Sequence, residues 1–301
     1  MLNEQLARNV GPSRLDIVYE RRGNPTDPPV LLAMGLAAQL VNWPEGFLDA
    51  LVRRRLHVIR FDNRDAGRST HFHDAPPPDL QAVLAGDLSS ATYTLSDMAA
   101  DGVGLLDVLG LDTVHVVGAS MGGAIAQTIA IEHPARVRSL TSMMFTTGDM
   151  SVGQPHRETA AALFGGPPAR TRQEVIDRAV RIHGLVGSPA YPTEPTDIAE
   201  RAGLAYDRGH DEMAIARQAV ATVASGDRTP RLASLDVPTL VIHGTHDTLC
   251  DVSGGRATAA AIPGAELILI DGMGHDLPPG LWDRIADHIA RIVARGETRV
   301  E

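Results

Sequence analysis

Gly118-Ala119-Ser120-Met121-Gly122 sets one serine hydroxyl between two glycines. The stretch follows a β-like apolar run at residues 114–117 and leads into a helix-like run at residues 124–133. A Gly-x-Ser-x-Gly between a strand and a helix is the pattern of a nucleophile elbow, a strained turn that holds the hydroxyl clear of the backbone. Glycine suits both flanks because a Cβ at either would strike a neighbouring strand or helix. A serine hydroxyl is a poor nucleophile near neutral pH. It needs a base within hydrogen-bond reach, itself oriented by a third group.

The chain offers twelve histidines, so position must choose among them. In open α/β sheets the active groups gather outside the carboxyl ends of the strands. His275, in Gly272-Met273-Gly274-His275-Asp276, lies just past a strand-like run at residues 266–270 and is the expected base. His57 and His115 sit in or beside strands and read as core, while His133, His183 and His288 fall on helices and read as solvated. His71 and His73 follow Ser69 on a loop, where they could border a pocket. The acid follows the same logic. Asp247 stands just past residues 238–243 and precedes His275 by about one αβ unit. Asp251 is its rival, better explained as an N-cap, and Asp271 and Asp276 flank the histidine too closely to orient its ring.

Attack on a carbonyl also needs two N–H donors for the developing oxyanion. Met121 N–H, at the head of a helix, is one expected donor. Leu36 N–H, in Met34-Gly35-Leu36-Ala37-Ala38 after the run at residues 30–34, is the other. No metal is called for. His243 and His246 are spaced i, i+3, but a strand-end loop without further ligands makes a poor zinc site.

The elements around these residues alternate. Residues 15–19, 30–34, 57–61, 114–117 and 137–145 read as strands, and 46–54, 95–109 and 124–133 as helices. Thr94 and Asp97 resemble a capping box at the start of the second helix. This rhythm predicts βαβ units and a mostly parallel sheet flanked by helices, an α/β fold. It breaks at residues 147–229, where helix-like pieces (174–183, 198–206, 212–224) are joined by Gly/Pro loops such as Gly165-Gly166-Pro167-Pro168. It resumes with strands at 238–243 and 266–270 and helices at 253–261 and 281–294. The expected organisation is a core of residues 1–146 and 230–301 with a helical cap at 147–229. Leu163, Phe164, Ile182, Leu185, Val186, Leu204 and Met213 supply that cap's apolar surface.

Bulk properties narrow the function. A net charge of −10 argues against nucleic acid or an anionic membrane as the main partner. The single cysteine, Cys250, rules out an internal disulfide framework. No uncharged apolar run reaches the ~18 residues of a membrane span. With no basic and apolar leader at the N-terminus, the expectation is a cytoplasmic chain, and nothing in the composition calls for a homo-oligomer. All 27 basic residues are arginines, so Schiff-base, pyridoxal-phosphate and Ser–Lys chemistry are excluded.

Gly118–Gly122, Asp247 in a His-Gly-x-x-Asp context and Gly274-His275 together resemble the α/β-hydrolase superfamily over nearly the whole chain. Asp62-Asn63-Arg64-Asp65-Ala66-Gly67-Arg68-Ser69 is similar to that family's Asp-x-Arg-Gly-x-Gly-x-Ser loop, with Asp65 in place of the usual glycine. With Met34-Gly35 replacing the common His-Gly, and with the stretch Gly187-Ser188-Pro189-Ala190-Tyr191-Pro192, the chain looks most like bacterial esterases related to aclacinomycin methylesterase and to mycobacterial lipase/esterase relatives. The resemblance implies a serine esterase with a small-molecule ester substrate and no cofactor. Ser120 departs from the aspartate nucleophile of haloalkane dehalogenases and epoxide hydrolases, and hydroxynitrile lyases of this fold use a lysine. Three readings stay open. They are a carboxylesterase acting on ordinary or methyl esters or lactones, a cofactor-free perhydrolase or carbon–carbon bond hydrolase using the same triad, and a ligand-binding protein that retains the triad but turns over poorly.

Overall fold

Successive residues of β3 (Pro29–Ala33) and β5 (Val114–Ala119) point alternately into two separate apolar cores. Leu31, Ala33, Val114 and Val116 belong to one; Val30, Leu32, Val117 and Ala119 belong to the other. Strands buried on both faces read as unbroken apolar runs, and the strand-like stretches of the sequence are of that kind. The computed structural model describes residues 3–165 and 169–298. Among them, β1 (Gln5–Val10), β2 (Leu15–Arg22), β3, β4 (His57–Phe61), β5, β6 (Val137–Met143), β7 (Thr239–Gly244) and β8 (Glu266–Ile270) form one sheet in the order β1-β2-β4-β3-β5-β6-β7-β8. β2 runs antiparallel to β1 and β4, and the remaining pairs are parallel.

Helices cover both faces. Their ranges are α1 (Glu45–Arg53), α2 (Leu80–Leu84), α3 (Leu95–Leu109), α4 (Met121–Glu132), α5 (Arg157–Phe164), α6 (Arg172–Val186), α7 (Pro195–Arg208), α8 (Glu212–Ala224), α9 (Thr229–Leu232), α10 (Ser253–Ala261) and α11 (Trp282–Glu297). α3 and α4 bury Leu95, Leu105, Ile125 and Ile129 against one face, and α1 and α11 bury Phe47, Leu51, Ile285 and Ile289 against the other. Each such side chain contributes roughly 1.5–3 kcal/mol. The start of α3 is fixed as its sequence suggests, with Thr94 N–H and Oγ1–H each donating to Asp97 Oδ2 at 2.9 Å.

β1 and the short helices α2, α5 and α9 are absent from the sequence reading. β1 is a polar edge strand with an irregular register and Asn9 at φ 55°, so it shows no clean alternation. α4 begins at Met121, directly after Ser120, rather than at residue 124. Its first turn carries Gly122 and Gly123, poor helix formers that obscured the start. Between β6 and β7 the described residues contain α5–α9 and no strand, a helical insertion between two strands of the sheet. Residues 166–168 of its Gly/Pro loop, and the side chain of Phe164, lie outside the described residues.

Asp65 explains its own departure from the family pattern. It sits at φ 59°, the left-handed region that favours glycine. In exchange its carboxylate accepts two hydrogen bonds from Arg217 of α8, at 2.8 and 2.9 Å, and further ones from Tyr93 Oη at 2.8 Å and Phe72 N–H at 2.9 Å. Asp65 and Arg217 are both buried, so this pair ties the insertion to the core. Asp65→Asn should therefore lower stability by about 3–5 kcal/mol, the usual result of leaving one partner of a buried pair uncompensated. In a thermal melt that is a midpoint drop on the order of 10 °C.

Candidate active site

Ser120 takes φ 55° and ψ −130°, outside both helix and strand conformations. The turn is fixed by backbone contacts. Ser120 N–H donates to Met143 O at 3.0 Å on the neighbouring β6, and Gly123 N–H donates to Ser120 O at 2.6 Å. The flanking glycines are sterically required, as expected. A Cβ on Gly118 would stand 1.9 Å from Gly122 O, and one on Gly122 would stand 2.0 Å from Ala33 O. Gly35 presses onto the same turn, where a Cβ would lie 2.9 Å from Ser120 Cβ. This brings the Gly35-Leu36 loop, at the end of β3, beside the serine at the end of β5.

Asp247 follows β7 and His275 follows β8, so both stand at the same carboxyl edge of the sheet as Ser120. His275 Nδ1–H donates to Asp247 Oδ2 at 2.7 Å. The other oxygen, Oδ1, accepts Leu249 N–H at 2.9 Å and Cys250 N–H at 2.8 Å, which locks the carboxylate in place. Burial works to raise the Asp247 pKa. The neighbouring His275 and His243 rings and the Cys250 N–H outweigh it and hold the carboxyl well below the usual range. Asp247 is thus a fixed, buried anion. His275 Nε2 is buried and has no hydrogen-bond partner among the described residues, so Ser120 Oγ does not bond it here. In the absence of substrate such contacts are commonly long.

The rival acids have other roles. Asp251 is a correction as an N-cap: Val252 holds that position of α10, and Asp251 Oδ1 accepts Ser253 N–H at 2.9 Å from one residue ahead of it. Asp271 accepts Thr245 Oγ1–H at 2.9 Å, and Asp276 accepts Ser188 Oγ–H. His57 and His115 are buried, as core histidines should be. His133, His183 and His288 are corrections: each is half-buried rather than solvated, His183 with Nε2 3.9 Å from Asp276 Oδ2. Leu204 and Met213 of the insertion are 41% and 44% exposed.

Sequence reasoning missed the residues that brace the site. His243 Nε2–H donates to Cys250 O at 2.7 Å and lies 3.4 Å from Asp247 Oδ2, so it buttresses the acid loop. Its place in the His-Gly-x-x-Asp sequence was the available signal. From the insertion, Val186 O accepts His275 N–H at 2.6 Å, and Ser188 Oγ accepts Gly274 N–H at 2.9 Å. Gln218 of α8 is fully buried; its Oε1 accepts Ala37 N–H at 3.0 Å and its Nε2–H donates to Arg64 O at 2.8 Å. Asn63 Nδ2–H donates to Met34 O at 2.9 Å, steadying the same loop from below.

Residues 28–278 match the family described as alpha/beta hydrolase fold. The chain belongs to the α/β hydrolase family. Among curated α/β hydrolase relatives, rhodomycin D methylesterase of Streptomyces peucetius is 29% identical over 292 residues, covering 89% of this chain and 91% of that protein. A 2-hydroxy-6-oxononadienedioate/2-hydroxy-6-oxononatrienedioate hydrolase of Dechloromonas aromatica (strain RCB) is 32% identical over 173 residues, 57% of this chain and 59% of that protein. Among solved structures, the enol-lactonase from Burkholderia xenovorans LB400 superposes with a TM-score of 0.70 at 21% identity, covering 98% of this chain and all (100%) of that one, a likeness of fold. Among the described residues of this α/β hydrolase, no helix is long and apolar enough to cross a membrane.

Proposed function

We propose that Ser120, His275 and Asp247 are the triad with which this α/β hydrolase cleaves carboxylic esters by two-step acyl transfer. The observation that carries the reading is the 2.7 Å His275–Asp247 pair, which leaves His275 Nε2 bare at the sheet edge that holds the strained Ser120. With its proton on Nδ1, His275 presents the Nε2 lone pair as a base. It takes the Ser120 proton as Oγ attacks the ester carbonyl, then hands that proton to the departing alcohol. Water, deprotonated by the same nitrogen, releases the acid from the acyl-enzyme. Asp247 fixes the tautomer and stabilises the imidazolium formed in each step. Leu36 and Met121 N–H groups hold the oxyanion, the latter as one of the N–H groups that α4 leaves unsatisfied.

Residues 147–229 act as a cap over the core of residues 1–146 and 230–301. Three contacts support this reading: Gln218 on Ala37, Val186 on His275, and Arg208 Nη2–H on Asp62 Oδ2 at 2.7 Å. Gln218 thereby positions the Leu36 donor. Gln218→Leu should lower kcat by about 10–100-fold with KM little changed, because the oxyanion exists only beyond the ground state. Steady-state ester kinetics would show the split. The lone buried thiol supports a reducing, cytoplasmic setting.

The methylesterase relative makes methyl esters the first substrates to try. A panel of p-nitrophenyl acyl esters of graded length, methyl esters, lactones and a 2-hydroxy-6-oxo-dienoate tests the assignment. Turnover of at least one carboxylic ester above that of the dienoate is expected. Exclusive turnover of the dienoate would overturn the ester reading in favour of carbon–carbon hydrolysis.

A further inference from the structure

His71 and His73 stand two residues apart on the loop after β4, and Asp211 caps α8 of the insertion opposite them. His71 Nδ1 lies 3.5 Å and His73 Nδ1 lies 3.4 Å from Asp211 Oδ2. These separations exceed the 2.7–3.2 Å of a good N–H···O hydrogen bond. They fit the edge of a tetrahedron of N and O ligands about 2.0–2.1 Å from a zinc ion, which is roughly 3.4 Å. All three donor atoms lie within 4.8 Å of one another.

One ring nitrogen of His71 is already committed. Its Nε2 lies 3.1 Å from Gly67 O, and a carbonyl only accepts, so Nε2–H donates there and Nδ1 is the atom left to face Asp211. That Nδ1 is buried and has no hydrogen-bond partner among the described residues. Such a backbone carbonyl behind the second ring nitrogen is the usual support of a metal-bound histidine. Asp211 is likewise divided: Oδ1 accepts Met213 N–H at 2.9 Å and Ala214 N–H at 3.1 Å, so Oδ2 remains for a cation. The two imidazoles stack at 5.3 Å between centroids and 6° between planes. Arg217 Nη2 lies 3.5 Å from Oδ2, but this guanidinium is already neutralised by its two bonds to Asp65. On the open side, His73 is 72% exposed beside a surface hollow that also includes His210 and Glu212, which leaves room for a water ligand.

We propose that His71, His73 and Asp211 form a site for a late first-row divalent cation, Zn²⁺ above all, that staples the β4 loop to the start of α8. Two imidazoles and a carboxylate favour Zn²⁺ over Mg²⁺ and Ca²⁺, which take oxygen ligands. Its role is to hold the insertion on the core.

The test uses the full chain stripped with a chelator and titrated with Zn²⁺ by calorimetry, with thermal melts alongside. Wild type should bind one Zn²⁺ per chain and melt higher with it, while Mg²⁺ and Ca²⁺ give no such effect. His73→Ala alters an exposed side chain, and Asp211→Asn keeps the N-cap because asparagine caps as well as aspartate. Each should weaken Zn²⁺ binding by at least about 10–100-fold, the loss that even outer-shell changes cause, and abolish the melting shift. Absence of stoichiometric binding by wild type, or wild-type affinity in both variants, would overturn the proposal.

Discussion

Ser120→Ala should lower kcat for ester hydrolysis by roughly 10⁶-fold, the loss seen when the nucleophile of a serine triad is removed. The variant should fold and melt as wild type does. The turn that holds Ser120 at φ 55° and ψ −130° is maintained by its backbone N–H and C=O and by the close approach of Gly118, Gly122 and Gly35. Neither of those backbone bonds involves Oγ, and alanine suffers the same backbone strain as serine. Activity and stability are thereby separated, which distinguishes a nucleophile from a structural hydroxyl. Stopped assays with a p-nitrophenyl ester, paired with a thermal melt, would measure both. Turnover near the wild-type rate would remove Ser120 from the mechanism.

Asp247→Asn should lower kcat by about 10⁴-fold while leaving KM largely unchanged. An asparagine retains an oxygen for the Leu249 and Cys250 N–H groups, so the loop after β7 keeps its anchor. Its amide, however, is turned toward His275 and donates where the carboxylate accepted. The imidazole then carries its proton on Nε2, the atom that must accept the serine proton. The loss of the buried negative charge also removes what stabilises the imidazolium. His243 cannot substitute, because its Nε2–H is committed to Cys250 O at 2.7 Å. A decrease of only a few fold would assign the acid role elsewhere, Asp251 being the nearest alternative in sequence.

The parts of the site that were legible in the sequence are those governed by local rules. The elbow needs glycine at 118 and 122 for steric reasons, and the ends of parallel strands point Asp247 and His275 to one edge whatever the rest of the chain does. What was illegible depends on residues far apart in the chain. Gln218 meets Ala37 across 181 residues, and Arg217 meets Asp65 across 152. Both partners lie in an insertion whose helices follow no sheet register, so periodicity gives each helix but not what it faces. Asp65 itself was visible as a departure from the family's glycine, without the cation that explains it. The buried Glu20–Arg60 pair, with Arg60 Nε–H donating to Glu20 Oε2 at 2.6 Å, was likewise hidden. Charged residues in strand-like runs suggest an exposed face, and only the covered sheet shows that they pair inside.

The most direct measurement is to treat the protein with a fluorophosphonate probe and map the modified residue by mass spectrometry. Cleavage at arginine isolates Ser120 in the fragment spanning residues 69–136, since no lysine or other arginine interrupts it. The account predicts one probe per chain, on Ser120, with loss of esterase activity in step with labelling and no labelling of His275→Ala at the same exposure. Labelling at another residue, or full esterase activity in protein fully modified at Ser120, would contradict it.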